Sequence, residues 1–226
     1  YKDGIVYIQR MIAGALTMND YEYALKGYRQ MIYYCIQVHN IRCMEEFVEL
    51  GIKLAMSKNH QKEMGILLRL KGLHRIMCGL FDEAEEILKQ SIGIFQALNQ
   101  HDDRYSLNIA AGYNYIGEIR RYNMKFSSAL EYYDKAMAIC AEKNVLRGLT
   151  VFNTNAGQAA LDMGDYHRAK NYFQKALQLY NQLDTLWGRS TAEGYMSLLM
   201  INDGSYEESF EHLLKADEYA NKLQSP

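Results

Sequence analysis

The stretch NTNAGQAALDMGDYHRAKNYFQKA, Asn153 to Ala176, decides how the rest of the chain is read. Gly164-Asp165-Tyr166 breaks it in two. After the break Ala169, Phe173 and Ala176 follow in steps of four and three, which place them on one face of a helix. Before the break Ala156 and Gly157 put two small residues together. Glycine at 164 suits the left-handed conformation that ends a helix. The stretch therefore predicts two helices joined by a tight turn. Small side chains sit where the two cross, and Phe173 fills the space beyond the crossing.

The same phrase returns along the chain, as a repeated helical unit requires. Tyr113-x-x-Ile116-Gly117 leads to Ala129, Tyr133 and Ala136, and Leu68-x-x-Lys71-Gly72 leads to Ala84, Leu88 and Ser91. Met196-Ser197 leads to Ser209, Leu213 and Ala216. A weaker copy runs from Met11-Ile12 to Ala24, Tyr28 and Met31. Gly79 and Gly204 stand where Gly164 does, five residues before the small residue, and Asn19 substitutes for them in the first copy. Met124 departs from this pattern, with Asn123 as the expected cap.

This series resembles the tetratricopeptide repeat. Its consensus sets a bulky residue, Leu-Gly and Tyr on one helix, then Ala, an aromatic and Ala on a second. The resemblance implies an all-α fold. About five helix pairs would stack into a right-handed superhelical solenoid with a concave and a convex face. The small residues Ala24, Ala84, Ala129, Ala169 and Ser209 are separated by 60, 45, 40 and 40 positions. The usual period is about 34, so helices and loops are long, and the interval of 60 leaves room for one extra helix.

The expected organisation is a single solenoid over residues 1–226: a weak first repeat 1–38, the extra helix 41–57, and repeats 60–98, 103–142, 146–182 and 186–222. The eleven expected helices cover 2–17, 20–38, 41–57, 60–78, 81–98, 103–122, 126–142, 146–163, 166–182, 186–203 and 206–222. Residue 1 is tyrosine, and a helical pattern runs almost to the last residue. The chain is read as a piece of something longer.

Composition narrows the function. The net charge is −2 and no basic stripe appears, which disfavours direct nucleic-acid binding by this chain. No apolar run is long enough to span a bilayer. The only proline is Pro226, which favours closely joined helices throughout. Cys35, Cys43, Cys78 and Cys140 form no CxxC pair and read as free thiols of a reducing cytoplasm. Cys35, His39 and Cys43 are four apart, a metal-ligand spacing, but the break near Asn40 favours two packed thiols and a loop histidine. His101-Asp102-Asp103 reads as a turn with an N-cap. Paired acids such as Glu45-Glu46 point about 100° apart on a helix and make poor acid/base partners. No phosphate loop, zinc-protease motif or nucleophile elbow occurs. No cofactor, metal or enzymatic activity is expected.

A binding role is expected instead. In tetratricopeptide solenoids the first helix of each pair lines the inner surface. That mapping places Arg69, Asn114, Glu118, Arg121, Tyr122, Thr154, Gln158 and Asp162 on a candidate groove for a protein or peptide partner. Chaperone-binding members clamp a carboxylate with Lys, Asn and Arg; Asn114 and Arg121 fit such a clamp, but the lysines are missing. Trp187, the sole tryptophan, is a candidate anchor. The long period, with phrases such as Tyr115-Ile116-Gly117-Glu118-Ile119, is similar to the helical-repeat regions of large bacterial transcriptional activators of the maltose-regulator type. It is also similar to Gram-positive regulators that bind signalling peptides. The expectation is a scaffold or sensor module of a larger cytoplasmic transcriptional or signalling regulator. The alternative is a self-association module that forms homo-oligomers.

Overall fold

A computed structural model describes residues 2–100 and 103–224. It contains eleven α-helices among those residues, and no strand. They are α1 (Lys2–Thr17), α2 (Tyr21–Gln37), α3 (Ile41–Ser57), α4 (Gln61–Met77), α5 (Phe81–Leu98), α6 (Ser106–Tyr122), α7 (Phe126–Glu142), α8 (Leu146–Asp162), α9 (Tyr166–Gln182), α10 (Leu186–Asp203) and α11 (Tyr206–Gln224). A short 3₁₀ turn, Asp103–Tyr105, precedes α6, so the expected helix 103–122 is split at its start. Contacts divide the chain into two compact units, residues 1–115 and 116–226.

One turn geometry joins consecutive helices at every junction except that between α5 and α6. Asn19, His39, Asn59 and Gly79 in the first unit have positive φ, as do Met124, Asn144, Gly164, Asp184 and Gly204 in the second. Within each unit these positions recur every 20 residues. The left-handed residue stops the helix, and the next residue caps the following one. At one such turn the Gly164 amide donates to the Leu161 carbonyl and the Asp165 amide to the Ala160 carbonyl, both at 2.9 Å. This is the paired bonding of a Schellman end. The Asp165 carboxylate then accepts from the Arg168 amide at 3.0 Å, starting α9. Asp20 and Asn40 do the same for α2 and α3.

This 20-residue beat explains the uneven spacing seen in the sequence. An interval of 40 is two helix-and-turn steps, and 60 is three. Seven of the helices are 17 residues long, or about 26 Å. Met124 is itself the left-handed residue, at φ 56°; Asn123 is not the cap. Its amide bonds to Arg121 and that of Lys125 to Arg120, as at the glycine turns.

The crossings are as tight as the small residues suggest. Ala84, Ala129 and Ala169 are fully buried. A Cβ on Gly72 would collide with Leu88, one on Gly117 with Tyr133, and one on Gly157 with Phe173. In the second unit Tyr133 and Leu130 pack against Ala156 and Ala159 of α8. Phe173 packs against Met196, Leu199 and Met200 of α10. Tyr133 of α7 and Phe173 of α9 are thus each covered by the helix that follows in the chain. The corresponding face of α11 is open: Phe210, Leu213 and Leu214 are more than half exposed.

The cysteines differ from expectation. Cys35 and Cys43 are joined as a disulfide, with Cα atoms 6.0 Å apart, and are not free thiols. The sharp turn at His39 folds the last part of α2 against the first turn of α3, bringing the pair together. Cys78 is exposed and Cys140 buried, and both are free. His101 and Asp102 lie outside the described residues. No helix of the described residues is long and apolar enough to cross a membrane.

A left-handed backbone strains any residue with a Cβ, and Met124 is exposed with no packing to lose. Met124→Gly is expected to raise unfolding stability by up to about 1 kcal/mol, the relief of strain less the added unfolded-state entropy. A thermal melt with an unchanged or lowered midpoint would refute this account of the turn.

Candidate functional site

The second unit gathers polar side chains on the first helices of its pairs, and each is placed by the crossing beneath it. Glu118 follows Gly117, so it projects where Tyr133 of α7 emerges from the crossing. The Tyr133 hydroxyl donates to Glu118 Oε1 at 2.5 Å. Glu118 Oε2 accepts from Arg121 Nη2 at 3.2 Å, one turn further along α6. Arg121 Nη1 reaches Asp162 Oδ2, the last residue of α8, at 2.9 Å. The guanidinium also lies 4.8 Å from the ring centre of Tyr122. On α10 the Tyr195 ring stacks on Phe173, with centroids 5.3 Å apart and planes 5° from parallel. Tyr195 is hydrogen-bonded to Gln158 of α8.

The electrostatics follow from this chain of contacts. Burial raises the Tyr133 hydroxyl well above its ordinary pKa, and the Glu118 charge adds to the shift. Burial alone would lower the Arg121 pKa, but Glu118 and Asp162 outweigh it and the net shift is upward. Burial also raises Tyr195. The cluster holds two carboxylates against one guanidinium, so it carries one net negative charge. Tyr122 and, on α8 and α10, Val151, Leu198 and Ile201 are 51%, 42%, 45% and 49% exposed.

The residues singled out from the sequence divide as follows. Glu118, Arg121, Tyr122, Gln158 and Asp162 are brought together. Thr154 is on the same helix as Gln158 but is buried, its hydroxyl donating to the Thr150 carbonyl at 2.9 Å. Arg69, half-buried on α4, and Asn114, buried on α6, belong to the first unit. Trp187 opens α10 and is 65% exposed. Tyr133 and Tyr195 were not among the expected site residues. The repeat pattern assigned Tyr133 to packing, which is correct for its ring; only the contrast with Leu88 and Phe173 at the same position signals the extra hydroxyl. Nothing in the pattern marks Tyr195. No three His, Cys, Asp or Glu side chains among the described residues converge as a metal site.

Comparison with known proteins agrees with the repeat pattern. The tetratricopeptide-repeat family profile matches residues 152–183. No curated protein matches the chain. Among solved structures, BtubC (BKLC) from P. vanneervenii superposes with TM-score 0.79 at 16% identity, covering 100% of this chain and 92% of that one. The Rap conjugation gene regulator of plasmid pLS20, in complex with the Phr* peptide, gives 0.76 at 15%, covering 92% of this chain and 56% of that one. Aspartyl phosphate phosphatase F from Bacillus subtilis gives 0.74 at 10%, covering 97% and 66%. At these identities the likeness is one of fold: an all-α helical-repeat solenoid.

A raised tyrosine pKa makes stability depend on alkaline pH. The folded state holds the Tyr133 proton more tightly than the unfolded state, so the contribution is intact below about pH 10. It is lost as pH rises from there toward the folded pKa. Of the 19 tyrosines, Tyr133 is expected to ionise only as the chain unfolds. In an ultraviolet titration, Tyr133→Phe should remove one late-titrating tyrosine. Loss of an early one instead would refute the buried contact with Glu118.

Proposed function

From the premise that the chain is a tetratricopeptide-type helical-repeat protein, we propose that it is a protein- or peptide-binding scaffold or sensor module without catalytic activity. It would belong to a larger bacterial regulator of transcription or signalling. The observation that carries this reading is the cluster of Glu118, Arg121 and Asp162, beside exposed Tyr122 and an aliphatic surface. Polar groups held rigidly at one phase of successive first helices give an extended peptide fixed points to bond, and exposed aromatic and aliphatic side chains give it area to cover. The solved pLS20 regulator holds a Phr* peptide, and a peptide ligand fits this chain in the same sense. Arg69 and Asn114 are proposed binding residues of the first unit, taken by itself. The division into a weak first repeat, extra helix α3 and four further pairs belongs to this proposal.

The second reading is self-association, through exposed Phe210, Leu213 and Leu214 of α11.

Panning a displayed library of random dodecapeptides against the chain tests the first reading. An enriched motif is expected, and Tyr122→Ala or Asp162→Asn should weaken it about tenfold, a loss of about 1.4 kcal/mol. Absence of any enriched motif, together with concentration-dependent mass in light scattering, would replace it with self-association.

A further inference from the structure

The glycines of the second unit have visible reasons, with one exception. Gly117, Gly148, Gly157 and Gly188 stand where a Cβ would strike Tyr133, Cys140, Phe173 or Tyr180. Gly164 and Gly204 end helices with φ of 81°. Gly194 is different. It lies in the interior of α10, its φ is not in the left-handed range, and a Cβ built on it meets nothing within 4 Å. A helix-interior glycine is less stable than alanine, and here neither packing nor backbone geometry requires it.

Its surroundings point to an occupant. Thr191, Gly194, Leu198 and Ile201 follow at helical spacing along one stripe of α10, and Leu198 and Ile201 are nearly half exposed. The 40-residue repeat sets Val151 of α8 in the row of Thr191, and Asp162 in the row next to Ile201. The stripe has no charge. The Glu118–Arg121–Asp162 cluster beside it has one net negative charge, while Arg147, the other charged residue of α8, lies at the far end of that helix.

We propose that Gly194 is the point where the backbone of an extended peptide lies flush on α10, with an aliphatic side chain on Leu198 and Ile201 and a neighbouring basic side chain facing Glu118 and Asp162. This rests on the proposed reading of the face as a peptide-binding surface and adds the class of peptide that it takes. A missing side chain lets a strand-like backbone approach within contact distance of the helix. The aliphatic stripe supplies desolvation, and the net charge of the cluster selects a base over an acid.

The experiment is panning with random dodecapeptides, followed by fluorescence anisotropy of the enriched peptide on wild-type chain, Gly194→Ala, Gly194→Leu and Gly93→Leu. Gly93 is an open helix glycine of the first unit and serves as the control. The melting temperature of Gly194→Ala is expected at or above wild type. The enriched motif should pair a basic with an aliphatic residue. Gly194→Leu should raise Kd at least tenfold, Gly194→Ala by a smaller factor, and Gly93→Leu not at all. If Gly194→Leu fails to fold, Gly194→Ala alone decides. Unchanged Kd in the folded Gly194 variants overturns this inference and leaves the peptide-binding reading standing. A motif built on acidic residues overturns the assigned peptide class. No enriched motif overturns the peptide-binding reading and this inference with it.

Discussion

The left-handed residue that closes each short turn sets the dimensions of everything else. It ends one helix and begins the next within three residues, at a fixed distance along the chain. Helices of nearly equal length then lie antiparallel to their neighbours in sequence. Equal length keeps the crossing point at the same height in successive pairs, and so the same residue types return at the same places. Glycine supplies that conformation at 79, 164 and 204, but Asn19, His39, Asn59, Met124, Asn144 and Asp184 adopt it too. Asparagine and aspartate tolerate it better than most residues. At Met124 the demand of the packed helices on either side outweighs the local preference.

The tight crossings then create the polar cluster. With glycine at 117 the ring of Tyr133 sits directly on the backbone of α6, fully buried, and its hydroxyl emerges beside Glu118. A phenylalanine at the same depth, as at 173, offers only a ring, and Tyr195 stacks on that ring instead. The buried hydroxyl is satisfied by a carboxylate, which is the stronger kind of hydrogen bond. That carboxylate is satisfied in turn by Arg121. Packing at the crossing and polarity at the surface are therefore one structure, with Tyr133 belonging to both.

Much of the fold was legible because it depends on size, and size is written in residue type. Small residues at crossings, aromatics beyond them and glycine at turns gave the helices nearly to the residue. The 20-residue beat was less visible, since six of its nine left-handed residues are not glycine and a backbone conformation leaves little mark on other residues. The pairing of Cys35 with Cys43 was missed because His39 folds two helices together at a position read as merely breaking one. Among site residues, Glu118, Arg121 and Asp162 could be placed on one face by helical phase. Their mutual bonding could not, because it depends on where two helices of different pairs stand in space. Thr154 shows the limit of phase: it was assigned to the groove row, but it is buried and its hydroxyl turns back to its own helix.

If a peptide carrying a basic group docks on this face, the cluster already contains the means to respond. Asp162 is bonded to Arg121 across two pairs, yet its side chain is 41% exposed. An ion pair that open to water is worth about 0 to 1 kcal/mol, so an incoming cation can share or displace it at small cost. Glu118 is different: it is fastened to Tyr133 as well as Arg121, and moving it would leave a buried hydroxyl without its acceptor. The two carboxylates thus divide the work. Glu118 keeps the guanidinium and the α6–α7 crossing in place, while Asp162 is the exchangeable partner. A ligand that takes Asp162 from Arg121 loosens the link from α6 to α8 and leaves each pair intact. Only a ligand with different affinities for the linked and unlinked arrangements can shift the balance between them, and a cation at Asp162 meets that condition.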